Sequence, residues 1–477
     1  MRRKRDTQIK PSVRAVRAQS EASLHEARSH AQAKARPLRK AVLAAVLALA
    51  AAVALVACAQ AGDVPRSSES VSYEGVTTVA LAELPAKPAA DDYEAQDELL
   101  GANALDGSFV DGLSAFSYRS ASAVLGEEPQ TNGNFSPVSL YLALAMTQMG
   151  AASETRDEIA AALGSSDAAA TAEQCGNLMR LLATDHLSDV RLASSVWMRP
   201  DAQFKQPFVD AMRDQFYASL FLADFGTGAA DKAMAQWIAD NTEGTLNPTF
   251  ESQEGQLLSL IDTVYFKSEW AKAFDVEATV PGTFAAEGGD VQAAFMVQRL
   301  DRPQEIRQTE AYTRASLGFM DGSEMTFVLP AEGRGVQDLL ADGALREEAF
   351  AGESTGEAFV TYRVPKFAFD SSYGLIPALE RLGVVAAFGD QADFSNLSDV
   401  PAYVSSVSQE SRIGLDENGV EASAYTKVDI MEMSALPDPS VIEELEFNLD
   451  RPFLYEIRTR QGIPLFAGLC AQPDAVA

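Results

Sequence analysis

From about residue 96 to its end the chain carries dense apolar patterning, with no second linker and no internal repeat. A chain that is 47% apolar over such a length can bury a large core, and the missing linker argues that it is one domain. Helical periodicity predicts helices over 104–125, 137–149, 153–163 and 229–242. Ser136-Pro137 is a start signal for the second of these, with serine as cap and proline in the first turn. Gly150 closes that helix, and Ser153 or Thr155 is expected to cap the next. Strand-like runs follow: LLSLIDTVYF (257–266), EMTFVLP (324–330) and FVTYRVPKFAF (359–369), each β-branched or aromatic and bounded by turns. RPFLYEI (451–457) and IPLFAGLC (463–470) read as a closing hairpin. Helices fill the first third and strands the rest, the segregated pattern of an α+β domain over 96–477.

What precedes that domain has a different chemistry. Residues 1–57 hold 12 Lys/Arg against 3 Asp/Glu, so the remainder of this −30 chain carries −39. A body that acidic repels phosphate backbones, sulfated sugars and anionic head groups, which excludes nucleic acid as a partner. Residues 41–57 are uncharged and end in Leu55-Val56-Ala57-Cys58. A basic region, an apolar run and small residues before a cleavage point make an export signal. The cysteine after Leu-Val-Ala resembles a bacterial lipoprotein box, in which the Cys58 thiol is acylated. The alternative is an uncleaved anchor, for which seventeen apolar residues are short of the about 20 that span a bilayer. The product is expected outside the cytoplasm, held at the membrane or cell surface by its lipid. Residues 59–95 are small, polar and proline-containing, and read as a flexible tether of 37 residues.

Metal and catalytic chemistry find little material. Cys175 and Cys470 fit no metal or disulfide pattern and read as buried apolar thiols. Outside the leader the only histidine is His186, so histidine-rich zinc sites are excluded and a Ser-His-Asp triad would have to use that residue. No metal, no cofactor and no enzymatic activity are expected.

Several motifs, in order, resemble the serpins over about residues 100–473. NFSPVSLYLALAMTQMGAASETRDEIAAALG is similar to that family's second helix and its successor. VYFKSEWAKAFDVEATVPGTF is similar to the run that carries the central strand and a tryptophan at the top of the main sheet, here Trp270. VPKFAFDSSYGLIPALERLGVVAAFGDQADFSNLS matches in type and spacing, and FNLDRPFLYEI, Phe447 to Ile457, fits the C-terminal signature throughout. The resemblance implies three β-sheets surrounded by about nine helices, with an exposed reactive loop. It implies a monomeric suicide inhibitor of serine, or cysteine, endopeptidases: the protease acylates itself on the loop, whose N-terminal half then enters the main sheet as a new strand. Glu417, Gly419, Val420, Ala422 and Ala424 stand at the hinge positions. Val420 replaces the usual threonine or serine.

Behind the insertion gap the family keeps two serines, an asparagine and a histidine. Ser136 and Ser139 match the serines, whereas Asp262 and Gln409 occupy the other two places. The paired change suggests that the Gln409 amide donates to the Asp262 carboxylate, because a buried carboxylate needs donors. TAEQCGNLMRLLATDHLSDV (171–190) resembles the heparin-binding helix of some relatives, but Arg180 is its one Lys or Arg, so heparin is not expected to bind.

The hinge can be judged on its own alternation. Counting from Asn418-Gly419, the inward set is Val420, Ala422, Ala424, Thr426, Val428 and Ile430. The outward set is Glu421, Ser423, Tyr425, Lys427 and Asp429, with no proline in the run. The family's spacing from Gly419 puts the reactive bond at Met433-Ser434, with Met431 as the alternative. Methionine suits the apolar pockets of elastase-, chymotrypsin- or subtilisin-like enzymes. Rival readings are a serpin that is cleaved without trapping, a solute-binding lipoprotein, and a hydrolase built on His186. The second fails on architecture, since its two lobes would be βαβ-rich.

Overall fold

The strand runs owe their positions to two hydrogen-bonded sheets. A computed structural model describes residues 72–89, 91–184, 186–341, 343–420 and 443–474. The strands are β1 (Val76–Ala80), β2 (Gly133–Phe135), β3 (Ser188–Met198), β4 (Ser219–Ala223), β5 (Leu258–Glu269) and β6 (Val280–Ala286). They continue as β7 (Gly289–Arg299), β8 (Gln304–Gln308), β9 (Tyr312–Gly318), β10 (Glu324–Pro330), β11 (Gly356–Pro365) and β12 (Phe367–Gly374). The last are β13 (Ser408–Leu415), β14 (Gly419–Val420), β15 (Glu443–Asn448), β16 (Phe453–Arg458) and β17 (Pro464–Cys470). The first sheet has the order β1-β4-β3-β5-β14-β13-β12. The second has the order β2-β17-β16-β10-β9-β8-β11-β7-β6, with β15 parallel to β11. Where three sheets were expected, the second and third run together, because the short β8 pairs with β9 on one side and β11 on the other.

Helices are α1 (Tyr93–Ala102), α2 (Gly107–Leu125), α3 (Pro137–Gly150), α4 (Ser153–Leu163), α5 (Ala168–Ala183), α6 (Gln206–Asp214) and α7 (Gly228–Asn241). The short α8 (Val336–Ala341), α9 (Gly343–Ala351) and α10 (Ile376–Arg381) complete the described set. Helix α3 is buried on nearly every side, Val138, Leu140, Tyr141, Leu142, Leu144 and Met146 among its residues, as expected of a helix that packs on both the first sheet and β17. Its cap is the one the sequence announces: Ser136 Oγ accepts from Ser139 N at 3.4 Å, with Pro137 in the first turn. The cap of α4 is different. Ala152 holds the cap position, while Ser153 Oγ donates to Asp393 Oδ2 at 2.7 Å and Thr155 Oγ1 accepts from Asp393 N at 2.9 Å. Both hydroxyls serve a neighbouring loop instead of their own helix.

Two further expectations are corrected. The tether was read as extending to residue 95, but Val76–Ala80 is a strand, antiparallel on β4. Tyr73 packs edge-on against Phe221 at 5.6 Å and tilted against Trp197 at 6.0 Å, and Ala82 N donates to Ser219 Oγ at 3.0 Å. The Val-Thr-Thr-Val run covers the edge of the first sheet, whose unpaired groups would otherwise face solvent. Ser72–Ala477 is accordingly one compact unit. The 359–369 run is likewise two strands. It breaks at Lys366, where the chain leaves the second sheet as β11 and enters the first as β12.

The hairpin β16–β17 forms as expected, with Phe453 opposite Cys470 and Leu454 opposite Leu469. Cys470 and Cys175 are both buried and unbridged, and burial pushes both thiols well above their usual range. Among the described residues no helix is long and apolar enough to cross a membrane.

Candidate functional site

The site lies in the first sheet between β5 and β13. Strand β5 is fully paired with β3 along one edge, and β13 with β12 along its far edge. Between them, among the described residues, stands only the two-residue β14. Gly419 opposes Glu269 and Val420 opposes Ser268 on β5, and Val420 opposes Leu415 on β13, both pairings antiparallel. Below that point the facing edges of β5 and β13 flank a cleft lined by Val264, Phe266, Ile413, Val420, Ile457 and Phe466.

The mouth is built on a tight turn. Asp416 Oδ1 accepts from Asn418 N at 2.8 Å and Gly419 N at 3.3 Å, and Asp416 N donates to Gly419 O at 3.0 Å. Trp270 clamps this turn from the end of β5. Its Nε1 donates to Asp416 O at 3.0 Å and its backbone N to Asn418 O at 2.8 Å. The ring is stacked on Phe319 at 4.5 Å and met edge-on by Phe274 at 6.0 Å. Gly419 is required by close approach: a Cβ there would lie 2.1 Å from the Ser268 carbonyl oxygen, and backbone cannot swing aside as a side chain can.

Glu417 is 5% exposed. Its Oε2 accepts from Lys366 Nζ at 2.7 Å and its Oε1 from Thr279 Oγ1 at 2.8 Å. Burial raises its carboxyl, but the hydrogen bonds from Lys366 and Thr279 outweigh it and hold Glu417 below the usual carboxylate range. Lys366 and Thr279 were missed in the sequence. The available signal for Lys366 was a cation following Val364-Pro365 in a run whose other charge is Arg363.

Deeper in the sheet, the pairing expected of Gln409 and Asp262 does not occur. Gln409 Nε2 donates to Ser136 O at 2.9 Å, and its Oε1 accepts from Ser136 N at 2.7 Å. Ser136 Oγ donates to Leu465 O at 2.8 Å, while Ser139 enters the network through its backbone N–H. Asp262, across the slot on β5, instead takes the hydroxyl of Ser194 on Oδ1 at 2.5 Å. Its Oδ2 is buried and has no partner among the described residues. Burial raises the Asp262 carboxyl to about 7, the Ser194 hydroxyl opposing it only in part. The reason is topological: Asp262 is on β5 and Gln409 on β13, which are separated in the strand order by β14, and each binds a partner on its own side.

Residues 111–473 match the family model described as Serpin (serine protease inhibitor). The chain belongs to the serpin family. Serpin-Z2B of Triticum aestivum is 28% identical over 383 residues, covering 75% of this chain and 94% of that protein. Iripin-3 of Ixodes ricinus is 30% identical over 366 residues, covering 72% of this chain and 90% of that protein. Among solved structures, the thermophilic serpin tengpin in its native state has the same fold, with a TM-score of 0.68 at 22% identity over 83% of this chain and 98% of that one.

The described part of this serpin brings together Glu417, Gly419, Val420 and Trp270 at the mouth, and Ser136, Ser139 and Gln409 on one bank of the slot. The remaining expected positions, Ala422, Ala424, Met431, Met433, Ser434 and Cys58, lie outside the described residues. Arg180, the base on α5, is committed to internal partners: it donates to Tyr217 Oη at 2.5 Å and contacts Asn103 and Asn177. His186 lies at the surface with Nε2 2.8 Å from the Pro88 carbonyl oxygen, an anchor for the segment ahead of α1.

Proposed function

We propose that this serpin inhibits serine endopeptidases of apolar specificity as a suicide substrate. The observation that carries the reading is the hinge. Val420 is 3% exposed, already seated as the first rung of a strand between β5 and β13, and the chain after it keeps the alternation that a buried central strand demands. Cleavage at Met433-Ser434 frees residues 421–433 to continue that ladder downward, and the acylated protease travels with them. The intact form is then held by a barrier and not by its depth. Lys366, Thr279 and Trp270 fix the point from which insertion starts.

A panel of elastase-, chymotrypsin-, subtilisin- and trypsin-like enzymes, resolved on a denaturing gel, tests the reading. A covalent band with an apolar-pocket enzyme is expected, with a new N-terminus at Ser434. Cleavage at Met433 without any such band would make the protein a non-inhibitory serpin.

We also propose that Cys58 is acylated, so that the inhibitor works outside the cytoplasm at the membrane from which it hangs. Incorporation of a labelled fatty acid is expected, and it should vanish in Cys58→Ser; equal labelling of the variant would refute the anchor.

A further inference from the structure

Helix α7 is held by a core of its own. Its buried residues are Ala230, Ala233, Met234, Trp237 and Ile238, and all five belong to a small apolar cluster on one face of the first sheet, separate from the main core. From the sheet that cluster takes Trp197 on β3, Phe221 on β4 and Ile261 on β5. Two further segments cover it. One is the connection after α7, through Leu246 and Phe250; the other is the segment around β1, through Tyr73, Val76 and Leu81. A helix rooted in so small a cluster opens more readily than an element of the main core, so each covering residue counts.

The segment around β1 is shaped to reach α7. Gly75 sits at φ +75°, the left-handed region that favours glycine, and a Cβ there would lie 2.9 Å from the Ala229 Cβ at the start of the helix. That turn, in which Val76 N donates to Tyr73 O at 3.2 Å, brings the Tyr73 ring over Trp197 and Phe221. Tyr73 Oη then donates to Asp240 Oδ2, in the last turn of α7, at 3.2 Å. Asp240 Oδ1 accepts from Gln236 Nε2 at 2.7 Å, so one carboxylate joins the helix to the segment. Burial, and then the Asp240 carboxylate, hold the Tyr73 phenol well above its usual range, so it stays a donor. The two ends of α7 are thus held differently. The first turn has the Thr227 cap and Asp231 Oδ1, which accepts from Ser252 N at 3.0 Å. The last turn has Tyr73, and just beyond it Glu243 pairs with Arg191 on β3.

We propose that residues 73–81 are a strap that latches the C-terminal half of α7 onto the first sheet, and that lifting the strap frees this half of the helix while the main core stays folded. The strap is secured on one side only. Strand β1 pairs with β4 and forms an outer edge of the sheet, and its residues alternate between partly buried and exposed, none of them fully buried. An edge strand of five residues is the kind of element that opens first. It follows directly on Ser72, where the compact unit begins. Helix α7 runs on to Thr245 and Leu246, which line the cleft between β5 and β13. The strap therefore bears, from the far edge of the sheet, on what covers that cleft. This holds whether or not a strand enters there.

Amide hydrogen exchange of the full chain, read by mass spectrometry, tests the strap in Tyr73→Ala, Tyr73→Phe and Gly75→Val. In Tyr73→Ala the amides of residues 236–241 are expected to exchange at least about tenfold faster than in wild type, with those of the β16–β17 hairpin unchanged. Tyr73→Phe keeps the ring and loses the bond to Asp240, and should accelerate the same amides by about two- to fivefold. Gly75→Val leaves Tyr73 and Asp240 in place but denies the strap its turn, and should resemble Tyr73→Ala. It carries the test if Tyr73→Ala does not fold. Exchange over 236–241 that is unchanged in both Tyr73→Ala and Gly75→Val overturns the proposal. Equal acceleration in α7 and in the β16–β17 hairpin, or failure of both variants to fold, overturns it too, because residues 73–81 would then support the whole fold and not this helix.

Discussion

Glu417→Lys should lower the stability of the intact protein by about 3–5 kcal/mol, because it puts an uncompensated cation at the buried Glu417 position, against a Lys366 that is itself half-exposed. The melting temperature is expected to fall by about 5–10 °C in calorimetry or circular dichroism. The carboxylate is enclosed, takes Lys366 and Thr279 on separate oxygens, and its backbone carbonyl accepts from Phe274 N at 2.9 Å. A lysine here would set two ammonium groups against each other at the one place where the hinge enters the sheet. The damage should reach the loop as well, since the turn that seats Val420 begins at this residue. Reversal of the pair, Glu417→Lys with Lys366→Glu, should recover part of the loss; no recovery would mean that packing and not charge is at stake. The milder Glu417→Gln gives the pH dependence. The native carboxyl lies below its ordinary 4.5, so the ionised form is favoured by folding. Its contribution is present above that value and is lost as pH falls through the lowered native one, so wild type and Glu417→Gln should converge in acid.

Those two partners of Glu417 show why half of the site could not be read from the chain. Local signals were legible: Ser136-Pro137 opens α3 and Gly150 ends it, EMTFVLP is β10 residue for residue, and the last two strands form their hairpin. Each is decided by neighbours within a few residues. Lys366 is not. Its run reads as one strand, yet the chain changes sheets there, and the charge that interrupts the apolar pattern crosses to a residue 51 positions away. The same holds for β1, whose five residues were averaged into a polar segment although Val76 to Ala80 alternates in burial like any edge strand. Pairing partners on β4 lie over a hundred residues downstream, and no local window contains them.

Asp262 and Gln409 carry the sharper lesson. Asp262 and Gln409 were singled out correctly as departures, and the inference that they compensate each other was chemically sound but geometrically wrong. It assumed that the two banks of the slot touch. These two side chains find other partners: Gln409 satisfies both of its amide atoms on Ser136, and Asp262 turns to Ser194. Two departures from a family pattern need not be in contact when a further strand position, that of β14, separates their strands.

Ala424→Pro should abolish the covalent trap and leave cleavage intact. On the insertion reading, an inserted strand that kept the register of Val420 would bring Ala424 opposite Val264 on β5 and Ser411 on β13, with a strand on each side. A proline there has no N–H to give to the ladder, and central strands do not tolerate it. The cost, about 3 kcal/mol or more, falls on the inserted state and on the transition state leading to it. If most of it is felt in the barrier, insertion slows by about a hundredfold, while the chemistry of acylation at Met433 is untouched. The race between insertion and deacylation then goes to deacylation. The variant should be cut at the same bond as the wild type, should melt at the same temperature when intact, and should consume at least about tenfold more inhibitor per protease silenced. Titration of residual protease activity against inhibitor concentration reads this directly. Ala424→Ser, small and able to donate its backbone N–H, separates the lost hydrogen bond from any change of volume and should stay close to wild type. Equimolar trapping by the proline variant would mean that the protease is stopped before the strand passes residue 424, and that the deep part of the slot, Asp262 included, plays no part in the trap.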